Sequence, residues 1–180
     1  MKRKGSYSAA HFAARVALSA ALIAVFAMIA IPFFVPFTLQ TLALYLVIYT
    51  FGARVGLAAS AVYTALGLVG LPVFAGFSGG VGKLVEPSGG FIIGLVLAAA
   101  VSLLVDTITS SRATVLASAL SLAALFASGA LVLAVLYSDG TLSSALALIA
   151  LYILPYLIPD VIKIVLAALI ARRLKRHIKI

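Results

Sequence analysis

One acid and one base stand three residues apart in Pro155-Tyr156-Leu157-Ile158-Pro159-Asp160-Val161-Ile162-Lys163, within a chain that is largely apolar from residue 12 to residue 171. Only four acidic residues occur among 180: Glu86, Asp106, Asp139 and Asp160. A charge in hydrocarbon costs about 2.5–3.5 kcal/mol on insertion scales, so an acid or base there marks a site or a pathway unless it is neutralised. Pro155 and Pro159 are expected to interrupt the helix. A helix restarting at Pro159 sets Asp160 and Lys163 side by side on one face, near its N-terminus. Two roles are open to the pair: facing a ligand, or neutralising each other and orienting the helix.

Other residues able to do chemistry lie in Leu71–Gly90, the longest interruption of the apolar pattern, which carries Phe74, Phe77, Ser78, Lys83, Glu86 and Ser88 among six glycines. Loops beyond about 12–15 residues are usually functional or disordered. This one keeps Phe74, Phe77, Leu84 and Val85, so it is expected to fold back as a lid, with a passive connector as the alternative. Gly76-Phe77-Ser78-Gly79-Gly80 matches the serine-nucleophile pattern G-x-S-x-G. A serine nucleophile needs a base within hydrogen-bond reach. Both histidines, His11 and His177, lie at the other end of the topology derived below, and Lys163 should stay charged beside Asp160. An intramembrane serine hydrolase using Ser78 is therefore a minor alternative. Gly82-Lys83 fails as a phosphate loop, because Phe77 replaces its first glycine and Leu84 replaces its Ser or Thr. Clusters of metal-ligating side chains are missing from the sequence, and zero cysteines exclude disulfides and thiolate chemistry. The reading is of a protein that is not an enzyme and needs neither metal nor cofactor.

The composition demands a membrane. Hydrophobic residues make up 65% of the chain, against about half in soluble domains. The net charge of +9 sits mostly at the ends, in Lys2, Arg3 and Lys4 and in Arg172, Arg173, Lys175, Arg176 and Lys179. Flanking charge of this kind fits membrane spans rather than a nucleic-acid surface. A span takes about 20 apolar residues. Six are expected, at about 12–31, 39–51, 55–70, 91–105, 114–137 and 159–175, in a single all-α domain covering 1–180. A short helix at 142–154 is expected against the outer surface. The basic start followed by an apolar run reads as the first span rather than a signal peptide.

Six spans put both termini on one side, and the positive-inside rule makes that side cytoplasmic. Eleven cations then lie inside, Lys83 alone lies outside, and Lys163 lies within the membrane. The turn Ile31–Gln40, the glycine lid and the Pro-Asp start of the last span all face outward and can converge on one pocket. Gln40 is either a ligand contact or hydrogen-bonded to a neighbouring backbone group. Ala9, Ala13, Ala17 and Ala21 recur every fourth residue on the first span, a small-residue face that lets another helix approach closely. Spacing alone leaves open whether that helix belongs to this chain or to a partner.

Four segments taken together resemble the BioY family: Pro36-Phe37-Thr38-Leu39-Gln40-Thr41, Gly67-Leu68-Val69-Gly70-Leu71-Pro72-Val73-Phe74-Ala75-Gly76, Glu86-Pro87-Ser88-Gly89-Gly90-Phe91, and Pro159-Asp160 with Lys163. The likeness covers nearly the whole chain, in order. It implies the biotin-binding S component of an energy-coupling factor (ECF) transporter: a six-helix bundle in the cell membrane that captures biotin from outside. It also implies partners, namely a transmembrane T component and two ATPase subunits, which alone would use ATP. Ala13, Ala17 and Ala21 match the face that docks S components on the T component. The third segment departs from the family's usual G-P-T-G-G-Y at Glu86, Ser88 and Phe91: Ser88 keeps a hydroxyl, Phe91 loses one, and Glu86 adds an acid without an evident role. An S component for another small vitamin would share all these features.

Biotin offers a ureido group with two N–H donors and one carbonyl, a thioether ring and a carboxylate tail. Asp160 or Gln40 can accept from the ureido N–H groups. Ser88, or backbone N–H groups of the lid, can donate to its oxygen. Phe74, Phe77 and Tyr156 can cover the ring faces. Lys163 either neutralises Asp160 or reaches the ligand, and Lys83 can meet the carboxylate.

Overall fold

A computed structural model describes residues 9–32, 34–109 and 114–177. Lys2, Arg3, Lys4 and Lys179, named above, lie outside these residues, as do Arg112, one of the eleven inside cations, and Phe33 of the proline turn. Seven α-helices follow in order: α1 (Ala9–Met28), α2 (Gln40–Phe51), α3 (Ala53–Leu68), α4 (Gly89–Ile108), α5 (Thr114–Tyr137), α6 (Leu142–Tyr152) and α7 (Leu154–His177). Two-residue strands β1 (Ala30–Ile31) and β2 (Phe37–Thr38) pair antiparallel and close the proline turn into a small ribbon. A short 3-10 helix, Val81–Val85, interrupts the glycine loop.

The helices α1, α4, α5 and α7 are long and apolar enough to cross a membrane. By contrast α2 and α3, with 12 and 16 residues, reach only about 18 and 24 Å at 1.5 Å per residue. Large apolar side chains stay exposed around the bundle, among them Val25, Val62, Leu97, Ile108, Val115, Leu131, Val165 and Leu169. Such a belt suits hydrocarbon and is not tolerated in water. The protein is a multi-pass membrane protein.

One boundary differs in a way that bears on the site. The last helix does not begin at Pro159. It begins at Leu154, with Pro155 in its first turn and Pro159 inside it. A proline in the first turn removes only an N–H that has no helical partner. Pro159 then forfeits a single bond, the one its N–H would have made to the Pro155 carbonyl four residues back. The break falls instead at Ile153, which ends α6 and whose carbonyl accepts from the Tyr156 N–H at 3.0 Å. Asp160 therefore sits in the second turn of α7. At the other end, α4 starts within the glycine loop, at Gly89, which lengthens it to 20 residues.

Small residues set the helix spacing. The closest pair is α4 with α5, where a methyl on Gly90 would stand 2.5 Å from the Ser128 carbonyl oxygen. In lipid, where apolar burial drives little, such close approach is what holds helices together. Buried hydroxyls add to it between α2 and α5: Tyr45 bonds Ser121 at 2.6 Å and Tyr49 bonds Ser118 at 2.5 Å. The centre is filled by Ile23 and Ala27 of α1, Leu44 and Tyr45 of α2, Tyr63 of α3, Leu95 of α4 and Leu125 of α5. On α1, Val16, Ser19, Ala20, Ile23 and Ala27 are buried, and the helix packs on α2 and α3. Ala13, Ala17 and Ala21 are exposed on its other side.

Candidate functional site

A cavity of about 240 Å³ opens where the proline ribbon, the glycine loop, the first turn of α2 and the first three turns of α7 meet. Its charged wall is Asp160 and Lys163, only 4% and 5% exposed. The Lys163 Nζ donates to Asp160 Oδ1 at 2.6 Å and to the Thr38 carbonyl at 2.7 Å, and it stands 3.9 Å above the centre of the Phe37 ring. An ammonium has three donors, and these two bonds leave one. The Asp160 carboxylate takes the Lys163 bond, and an ionised carboxylate has about four acceptor sites. The pair is thus mutually neutralised and still able to meet a ligand with both a donor and acceptors.

Much of the remaining wall is apolar or aromatic. Phe74, Phe91 and Phe126 line the cavity with Ile92, Leu95 and Leu125. Phe74 is 2% exposed and lies against Gly67, where a Cβ would come within 2.1 Å of its ring. Only glycine at 67 lets the ring lie there. Phe91, which departs from the family's tyrosine, stacks its ring over Gly129 and stands edge-on to Phe126. Tyr156 lines the cavity, and its hydroxyl donates to the Val35 carbonyl, tying α7 to the ribbon.

Gln40 also lines the cavity. Its amide Nε2 donates to the Tyr63 hydroxyl at 2.5 Å, and its Oε1 accepts from the Thr38 hydroxyl at 2.8 Å. Its partners are therefore side chains, not the backbone. From the loop come Ser78, Lys83, Glu86 and Ser88. Lys83 and Glu86 form an ion pair of 2.7 Å, which gives Glu86 a partner. Ser88 precedes α4, but its side chain makes no capping bond there. The loop is fastened at several points: Gly80 N–H to the Gly67 carbonyl at 2.7 Å, Phe74 and Ser78 to each other, and the Tyr137 hydroxyl to the Val85 carbonyl at 2.8 Å.

Seven of the eight expected binding residues line one cavity. Phe77 does not join them. It stands at the tip of the turn between Phe74 and Ser78 with a left-handed φ of 55° and is 67% exposed, so its ring points away from the chamber. Ser78 donates its hydroxyl to the Ala75 carbonyl at 2.8 Å, and among the described residues no base is bonded to it. Residues that sequence reasoning passed over include Phe37, Thr38, Thr41, Tyr63 and Phe126. Thr41, beside Gln40, could have been found by its place at the start of α2. Tyr63 and Phe126 lie inside apolar runs that give no sign of them.

The BioY family model matches residues 1–180. The chain is 41% identical to the biotin transporter BioY of Thermotoga maritima over 158 residues, which is 87% of this chain and 90% of that protein. It is 33% identical to a probable biotin transporter BioY of Pyrococcus horikoshii, over 89% of this chain and 93% of that one. Its structure resembles the crystal structure, at 2.1 Å, of the S-component for biotin from an ECF-type ABC transporter. That match has a TM-score of 0.74 and 24% identity and covers 98% of this chain and 95% of the other, a likeness of fold.

Proposed function

We propose, from the premise that this chain belongs to the BioY family, that it is the biotin-specific S component of an ECF-type uptake transporter and binds biotin in the cavity described above. It is a transporter component and not an enzyme. The observation that carries the reading is the wall of the cavity. A buried acid–base pair stands at the closed end of a chamber lined by rings and aliphatic side chains together with a few polar groups, Thr38, Gln40, Thr41, Ser78, Ser88 and the Lys83–Glu86 pair. A compact apolar pocket with a few placed polar groups suits a ligand with one polar head.

In this reading Asp160 accepts from the ureido N–H groups and the remaining Lys163 donor meets the ureido oxygen. Gln40 and Ser88 complete the polar contacts. Phe74 and Tyr156 cover the rings, and Lys83 meets the carboxylate tail. The glycine loop acts as the lid. The exposed Ala13, Ala17 and Ala21 face docks a T component, which works with two ATPase subunits that alone use ATP. The chain needs no cofactor of its own. Six helices cross the membrane with both termini in the cytoplasm, α2 and α3 crossing despite their shortness because the bilayer thins or the helix ends draw polar groups inward. Bundling with four full-length spans, and the outward grouping of ribbon, loop and the start of α7, support that arrangement.

Equilibrium binding to the detergent-purified chain tests the reading, with biotin against thiamine and riboflavin. Selective binding at nanomolar level, about −12 kcal/mol, is expected. A folded sample that ignores biotin, or that binds all three alike, refutes it.

A further inference from the structure

Two ion pairs line one cavity, and they differ in exposure. Asp160 and Lys163 have side chains 6% and 7% exposed, whereas Lys83 and Glu86 are 24% and 47% exposed. The first pair therefore marks the closed end and the second the rim. Both rim residues lie at or just after one 3-10 helix, three residues apart, with Lys83 Nζ 2.7 Å from Glu86 Oε2. The four charges cancel. A ligand ending in a lone carboxylate gains Lys83 at the rim but meets the Glu86 carboxylate on the same nitrogen. A tail carrying both an ammonium and a carboxylate meets a partner for each. Like charges placed together at a recognition surface select against a ligand as effectively as opposite charges select for one.

We propose that the rim pair reads the far end of the ligand, and that this cavity takes biotin joined by an amide to the side-chain nitrogen of lysine as well as the free acid. This rests on the biotin reading above. The ureido head keeps its place at Asp160 and Lys163. The amide takes the place of the biotin carboxylate at the rim, and the flexible lysine arm beyond it turns back over the pair, so that the free α-carboxylate meets Lys83 and the free α-ammonium meets Glu86. Such conjugates are what remains when proteins carrying biotin on lysine are broken down, so the pair would let one protein collect the vitamin in both forms.

Competition against labelled biotin tests it, with biotinyl-ε-lysine, biotin and uncharged biotinamide as competitors, on the wild-type chain and Glu86→Gln. Wild-type protein should bind biotinyl-ε-lysine within about tenfold of biotin. Partly exposed charges act over a few-fold in affinity. Glu86→Gln should tighten biotin by about two- to fivefold, weaken biotinyl-ε-lysine by a similar factor, and move biotinamide by less than twofold. A wild-type chain that binds biotin but not the lysine conjugate overturns the proposal. So does a substitution that moves all three ligands together, since Glu86 then shapes the loop rather than reading the tail. Absence of biotin binding itself overturns the function on which the proposal rests, and the proposal with it.

Discussion

The buried pair gives the sharpest test. Asp160→Asn keeps the shape of the side chain and removes its charge. The Lys163 ammonium is then left with the Thr38 carbonyl and the face of Phe37, and without its counter-ion at 2.6 Å. Removing one partner of a buried pair costs about 3–5 kcal/mol, and this pair borders an open cavity, so about 3 kcal/mol is expected. Binding should suffer separately. A charge-assisted hydrogen bond is worth roughly twice a neutral one, so exchanging carboxylate for amide should cost about 1–2 kcal/mol, or roughly five- to thirtyfold in Kd. The double variant Asp160→Asn with Lys163→Met separates the two effects. It removes both charges, so thermal stability should return to within about 1 kcal/mol of wild type. Affinity for biotin should not return, because the ureido group then meets a neutral amide oxygen in place of the carboxylate and has lost the Lys163 donor. Thermal unfolding and equilibrium binding on the same detergent-purified samples supply both numbers. A folded Asp160→Asn chain whose Kd stays within twofold of wild type refutes the reasoning and leaves the pair only the task of orienting α7. A double variant that regains both stability and affinity refutes it equally.

Gly67→Ala should displace Phe74, since the new methyl would lie 2.1 Å from its ring, and biotin affinity should fall at least tenfold; Phe74→Leu added to it should restore part of the loss, and equal affinity throughout would show that the ring has no part in the site. Ala17→Leu should abolish co-purification with a T component while Kd for biotin stays unchanged. Loss of both would place Ala17 in internal packing, against its exposure. Limited proteolysis near Gly79 should slow when biotin is added, as expected for a loop that closes over a ligand, and a cleavage rate indifferent to biotin would leave that loop a connector.

Asp160 and Lys163 were readable from sequence because a spacing of three fixes their relation wherever the helix starts. Placing the start at Pro159 rather than Leu154 therefore misplaced the helix and not the pair. The misplacement came from treating both prolines as breakers, when proline breaks a helix only where its N–H was needed. Phe74 and Phe77 show the opposite case. Both are aromatic residues in a glycine-rich loop with no periodicity to orient them, and a positive φ at residue 77 decides which ring enters the cavity. The Thr38 carbonyl that holds Lys163 could not have been found at all, since backbone acceptors leave no mark in a sequence. On α1 the period of four was plain, whereas its exposure had to come from how Val16, Ala20 and Ile23 bury the opposite side.

Under the proposed function, that division of faces would let one small bundle bind a ligand and keep a docking surface independent of it. The charged wall is carried by α7, and α7 packs on α2. The alanine face belongs to α1, which packs on α2 and α3 through its other side. Between them α2 contributes Gln40 and Thr41 to the cavity at its first turn, and Tyr45 and Tyr49 bond it to α5 below. A hydroxyl bonded to a hydroxyl across two helices resists sliding along the helix axis, because in lipid a displaced hydroxyl finds no water to replace its partner. Those bonds hold α2 against α5, whereas the ribbon and the glycine segment reach the cavity as connections between helices. A ligand that orders the loop would then change the outer surface of the molecule without moving the alanine face, so capture and docking can be altered one at a time.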